Sequence, residues 1–319
     1  MHMNTRAVTD VTISRLRQAL AELGHAPASA IPEGSGGRTE EAMIRPARLV
    51  ECARVEHLPV GTAEAWTEPV AFLDGTQRSE LVCYVGTRPL VAAFVAAAVR
   101  ERRERRLRTV LVERRRLVVG HRDALAAAAG LLEGFEIVEL DQDDGETPHP
   151  VRELQRIARA VDRQRGNLEL AAGDRYRQRS DAWLVVDGSL TGSPGWAADE
   201  RMIGVSKSHA TLPFDGADLE RYLRLPAGHR TPLFEPPARS FAPVVSWALR
   251  LWPWEGRDLF HGLVRIEVAP AAATPGHADR LSRHLLAERV PLSTPDPRWD
   301  RLLYGIHAVE QYLKAGARG

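Results

Sequence analysis

The sequence predicts an α/β protein built on a mixed sheet, and three observations carry that expectation. Short apolar runs that stop at turn residues recur along the chain, as in Val70 to Leu73 before Asp74-Gly75 and Leu81 to Val85 before Gly86. A helical stripe of Leu154, Ile157, Ala158, Val161, Leu168 and Ala172 follows them, between Val151 and about Arg179. Helical patterns then close the chain. Strands first, helices interleaved and helices last favour a mixed sheet over a purely parallel one.

Taken in order, Val8, Val11, Ile13, Leu16, Leu20 and Leu23 have the spacing of an amphipathic helix that ends before Gly24. Pro27 to Arg38 reads as a loop, and Thr39 to Val55 as a second helix, so residues 1–65 form an N-terminal helical arm and 66–319 the main domain. Leu90 to Val99 is a strand or a helix, since its alanine-rich composition fits both. Leu107 to Val119 and Phe135 to Leu140 read as strands, with a helix from His121 to Leu132 between them and an acidic loop from Gln142 to Pro150 after them. Gly166 is a possible break in the long helix. Trp183 to Val186 has the signature of a buried strand, Met202 to Val205 continues the pattern, and strands follow at Pro243 to Leu251 and Leu259 to Val268. Helices are expected at His277 to Arg289 and Arg298 to Ala315.

The 319 residues carry 43 basic and 42 acidic side chains, with 44% apolar and 27% charged residues. That is the composition of a globular chain, and it excludes both a polycationic tail and disorder as the main state. The longest apolar stretches fall short of the roughly 20 residues that cross a bilayer, and no apolar segment opens the chain, so a soluble cytoplasmic protein with no membrane partner is expected. Cys52 and Cys83 form no metal or disulfide pattern and read as reduced residues in or near the core. All but two of the basic residues are arginine. Lys207 and Lys314 are the exceptions, and a compact ammonium does chemistry that a guanidinium does not.

Two segments repeat one design, four apolar residues and then Asp-Gly and a hydroxyl: Val70 to Thr76 and Leu184 to Ser189. Each Asp-Gly alone reads as a hairpin turn. Two of them at the ends of strongly apolar strands point to a site, because neighbouring strands would bring the carboxylates face to face. Such a pair is costly without a neutralising cation, and a hard divalent metal is the natural one. Leu73-Asp74-Gly75-Thr76 looks like the second half of the nucleophile motif of haloacid-dehalogenase-like phosphatases. That chemistry needs an aspartate two residues before Asp74, where Phe72 stands, so no aspartyl-phosphate can form.

The order of several stations resembles the NurA nuclease family, whose domain is similar to ribonuclease H and the PIWI module. These are the strand VAFLDGTQRSE, the helix with Asn167-Leu168-Glu169, the strand WLVVDGSL, Ile203 to Ser208, the strand Gly262 to Val268, and a terminal helix with Tyr304 and His307. The resemblance spans about residues 65 to 315. It implies a ribonuclease H-like mixed sheet flanked by helices, with metal ligands Asp74, Glu169, Asp187 and His307. Glu153 is the substitute for Glu169. Two Mn²⁺ or Mg²⁺ ions would activate water for in-line attack on a phosphodiester, and one imidazole among the carboxylates leans towards Mn²⁺. Lys207 is either a phosphate contact at that catalytic site or a solvated surface lysine.

The resemblance further implies 5′-to-3′ exonuclease and single-strand endonuclease action on DNA. It also implies a homodimer and a hexameric HerA-type translocase as partner in DNA end resection, and it leaves DNA repair and defence against phage both open. A second class of reading is a non-catalytic nucleic-acid-binding module on the same fold. Arg100 to Arg116 holds nine arginines against three glutamates. Such a run is usually a solvated face, but Arg103, Arg106 and Arg115 become candidates for tracking phosphates if the substrate is a polyanion. Trp247, Trp252 and Trp254 read as core and rim packing, with base stacking as the other possibility.

Overall fold

A computed structural model describes residues 5–24, 43–103, 106–141, 149–237, 242–255, 257–289 and 301–317. Helix α1 (Thr5–Glu22) opens the chain. Three two-residue strands follow, β1 (Met43–Ile44), β2 (Arg48–Leu49) and β3 (Leu58–Pro59). The helix expected from Thr39 to Val55 is therefore not formed. Met43 and Ile44 pair with Thr211 and Leu212, and Arg48 and Leu49 with Glu235 and Phe234. These strand partners lie more than 150 residues away, and Pro46 between the two pairs also opposes a helix. The expected loop from Pro27 to Arg38 lies outside the described residues, as does most of the one from Gln142 to Pro150.

Three long strands form the centre: β4 (Val70–Val85), β5 (Arg88–Arg103) and β6 (Arg106–Gly120). The alanine-rich segment is thus a strand, and the turn between β4 and β5 falls at Gly86, whose φ of +61° suits glycine. Asp74-Gly75 is no turn at all. Both residues sit inside β4, opposite Ala98 and Ala97 of β5. After α2 (Arg122–Ala127) and β7 (Glu136–Glu139) comes α3 (Pro150–Arg177), which runs through Gly166 without a break.

The remaining elements are β8 (Trp183–Asp187), α4 (Pro194–Ala198), β9 (Met202–Ser206), β10 (Thr211–Leu212) and α5 (Gly216–Leu223). Then follow β11 (His229–Arg230), β12 (Phe234–Glu235), β13 (Val245–Arg250) and β14 (Leu263–Val268). Helices α6 (Pro275–Glu288) and α7 (Tyr304–Ala317) close the chain.

Among the described residues twelve strands make one sheet, in the order β2-β12-β13-β14-β9-β8-β4-β5-β6-β7, with β11 beside β13 and β3 beside β11. It is mixed, as expected. β8 runs parallel to both β4 and β9, and β6 to β7, whereas the other pairings are antiparallel.

Alternation along β4 splits the core in two. Ala71 and Leu73 face α3, whose Leu154, Ile157, Val161, Leu168 and Ala172 are all buried against that side. Val70 and Phe72 face α6 and α7, through Leu281, Leu285, Ile306 and Val309. Each such side chain contributes about 1.5–3 kcal/mol when fully buried. Phe72 lies so close to Gly305 that a Cβ on that glycine would overlap the ring, which fixes α7 on the sheet just below Asp74. Leu16 and Leu20 of α1 are buried with Val82, Cys83, Leu90 and Leu125. Cys83 is buried, Cys52 half-buried, and both thiols are free. Trp247 is fully buried with its indole N–H donating to Ser282 Oγ at 2.9 Å, so it is a packing residue and not a stacking platform. Among the described residues no helix is long and apolar enough to cross a membrane.

Candidate active site

The apolar strands β4 and β8 are immediate parallel neighbours, in register from Val70 with Trp183 to Leu73 with Val186. Asp74 and Asp187 are the next residue of each. The two carboxylates therefore come from adjacent strands at one level of the sheet, although 113 positions separate them in the sequence. Asp74 is only 8% exposed, and its Oδ1 accepts the Gly75 N–H at 2.8 Å. Burial holds this carboxyl well above the usual range, and the negative charges of Asp187 and Glu169 push the same way, against the opposing charge of Lys207.

Glu169 arrives from the other side of the sheet. It projects from α3 into the space above Gly75, where a Cβ would overlap its carboxylate. Glycine at position 75 thus serves an approach through the sheet and not a turn. Burial pushes Glu169 up to about 7; Arg165 opposes the shift, and Asp187 and Asp162 add to it. Arg165 is the residue that sequence reasoning missed. One turn before Glu169 on α3, it binds that carboxylate and reaches Asp162 Oδ1 at 2.9 Å. The i to i+4 spacing of Arg165 and Glu169 was the available signal. Glu153, the alternative ligand, is sixteen residues up the helix, about 24 Å away, and is buried in a pair with His121.

Lys207 stands just beyond β9 with its Nζ 2.9 Å from Asp187 Oδ2. It is therefore part of this cluster and not a solvated lysine. After Asp187 the chain turns at Gly188, at φ +135°, and the Gly188 carbonyl lies close over Gly204, where a Cβ would be only 2.8 Å from it. The loop is tied down by Glu267, a 1%-exposed carboxylate of β14 that accepts the Ser189 hydroxyl at 2.7 Å and the Leu190 N–H at 2.9 Å. Arg265 pairs with the same carboxylate at 3.1 Å. A cavity of about 1250 Å³ opens from Asp74, Arg165 and Asp187 and runs past Ser189, Lys207 and Arg265.

The structure does not bring every expected residue to this cavity. His307 lies on α7, one turn from Glu310, with its Nδ1 buried, unbonded and 3.9 Å from Glu310 Oε2; it does not border the cavity. Arg103 and Arg106 pair at the end of the β5–β6 hairpin, next to the start of β4, with Arg103 bound to Glu101. Arg115 is 3.3 Å from Glu136.

Asp74, Asp187 and Glu169 are hard oxygen donors, and ligands of this kind fit Mg²⁺ or Mn²⁺. Among the described residues no three His, Cys, Asp or Glu side chains stand together as a ready metal cage. Instead Arg165 holds Glu169 and Lys207 holds Asp187, so protein cations supply the countercharge here.

No protein-family model matches the sequence, and no curated protein is significantly similar to it. A solved structure is similar. The NurA nuclease from Sulfolobus solfataricus superposes with a TM-score of 0.50 over 82% of each chain, at 9% sequence identity. The fold is NurA-like. At that identity the likeness concerns the path of the chain, and the chemistry rests on the side chains described above. The catalytic domain of human endonuclease V covers 95% of this chain at 14% identity, but its TM-score of 0.36 decides nothing about the fold.

Proposed function

We propose that this protein is a divalent-metal-dependent deoxyribonuclease that hydrolyses phosphodiester bonds, a member of the NurA family in activity as well as fold. The observation that carries this reading is the convergence of Asp74, Asp187 and Glu169, from two neighbouring strands and a helix behind them, at the mouth of a cation-lined cavity. The similar fold of a nuclease supports it.

Asp74, Asp187 and Glu169 would hold the metal, with His307 as the fourth ligand that the family pattern assigns. When bound, Mn²⁺ or Mg²⁺ would supply an acidified water and a countercharge for the leaving oxygen. The chain's own part is positional. Gly75 admits Glu169 to the cluster, and Glu267 fixes the loop that follows Asp187. Lys207 and Arg165 neutralise the carboxylates until substrate arrives and then face its phosphates, to which an ammonium and a guanidinium both donate well. The finer activity is 5′-to-3′ exonuclease and single-strand endonuclease action. In this reading a homodimer works with a HerA-type translocase in DNA end processing, and residues 1–65 are an arm on the nuclease domain.

Cleavage of labelled single-stranded DNA with Mn²⁺ tests the reading. Asp74→Ala and Asp187→Ala should each lose about a thousandfold or more in rate while keeping DNA binding. Binding without metal-stimulated cutting by the unaltered protein would instead identify a non-catalytic module.

A further inference from the structure

The lining of the cavity changes chemistry with distance from Asp187. Pairing places Val186, Gly204, Glu267, Ser246 and Phe234 in one lateral row across β8, β9, β14, β13 and β12. Four strand spacings therefore separate the aspartate's strand from β12, about 19 Å. At the near end stand the carboxylates and Arg165. The middle is hydroxyl and cation: Ser189, Thr191, Ser206, Lys207, Ser208 and Arg265. Glu267 is the acid in this stretch, and its carboxylate is taken up by Ser189, Leu190 and Arg265.

The far end is different. Pro236, Pro237, Ala242, Pro243 and Val244, which flank β12 and β13, wall it. Prolines have no N–H, so this wall offers little to an anion and presents apolar ring faces instead. Glu235 also borders it, but its carboxylate is paired with Arg48 at the rim. A ligand that matches the whole cavity has anionic groups against its middle and a flat apolar group at its far end. A polynucleotide strand has that alternation, because phosphates take hydroxyl and cation donors whereas every base has an apolar face.

We propose that the proline-walled end of the cavity, under β12 and β13, is a subsite for one unpaired nucleobase of the strand being cut. The proposal rests on the nuclease reading and adds a position to it. The base lies on the order of three to five nucleotides from the cleaved bond, depending on how far the strand is stretched beyond its stacked spacing of about 3.4 Å. Among the described residues the wall supplies ring faces and few polar side chains, so the subsite senses the presence of a base and not which base it is.

The test uses the full chain with Mn²⁺ and single strands whose linkages are phosphorothioate at all positions but one, so that the cut bond is fixed. One abasic tetrahydrofuran residue is then moved along the strand, and kcat/KM at the fixed linkage is read. The expected result is a loss of about tenfold when the abasic residue occupies one position a few nucleotides from the cut, and little loss at its neighbours. In a Pro236→Ser, Pro243→Ser variant the intact strand should fall to the same level, and the abasic penalty at that position should vanish. Neither residue is fully buried, so the variant should keep its melting temperature. Efficient cleavage with no position-specific penalty in the unaltered protein overturns the subsite and leaves the nuclease reading standing, as does a penalty of equal size in the variant. If no strand is cut or bound at all, the nuclease reading itself fails and the subsite falls with it.

Discussion

Gly75 shows how one missing side chain shapes this site. The position is an ordinary strand residue in its pairing, opposite Ala97, yet the space its Cβ would fill is occupied by the Glu169 carboxylate. Gly75→Ala should therefore displace Glu169 and cut metal-dependent cleavage by about a hundredfold, with a folded protein by circular dichroism; near-normal rates would show that Glu169 is dispensable. Glu169 also sets a pH signature. Its pKa is about 7 in the folded chain against an ordinary value near 4.5. Between those values the metal-free folded state holds a proton that the unfolded state gives up. Stability from this group is thus fully present below about pH 4.5 and lost as pH rises through 7, at most about 3 kcal/mol before solvent screening is allowed for. Denaturant titrations without metal should show the unaltered protein losing more stability between pH 5 and 8 than Glu169→Gln does; parallel profiles would refute the assignment. The two aspartates were legible in the sequence, because their apolar strands announce them. The purpose of Gly75 was not, since it depends on a helix that returns about 90 residues later, whereas Arg165 was readable only as the i−4 neighbour of Glu169.

At the level of elements, the long periodic segments were readable and the short ones were not. The stripe from Leu154 to Ala172 predicts α3 because all of it but Ala158 is buried against the sheet, with Ala160 buried in addition. Gly166 suggests a break by propensity alone, but the helix continues because packing on both sides of that turn holds it. A Cβ there would meet nothing within 4 Å. Gly166→Ala should accordingly stabilise the protein by about 0.5–1 kcal/mol, read as a rise in the denaturation midpoint with cleavage unchanged. A fall would mean that the helix is strained at this point. The segment from Thr39 to Val55 fails in the opposite sense. Its strands are two residues each and exist only through partners such as β10 and β12, so no local period reveals them.

Across the whole molecule, the fold divides charge between two regions that the formal net charge of +1 conceals. The cavity leads from Asp187 towards β12, whereas the arginine-rich β5–β6 hairpin lies beyond β4 in the opposite direction along the sheet. A strand seated over Asp74 and Asp187 can then extend one arm into the cavity and the other towards the hairpin. Arg103 and Arg115 already have counterions in Glu101 and Glu136, so each releases less than a full condensed ion when a phosphate replaces its partner. Arg106 is exposed at the strand end next to Arg103. Replacing all three by glutamine should lower the slope of log affinity against log salt for single-stranded DNA by about one to two, against about 0.7 for each full phosphate contact. Cleavage at low salt should change little, because none of the three borders the cavity. An unaltered slope would confine the strand to the cavity side of β4 and leave the hairpin arginines as a solvated face.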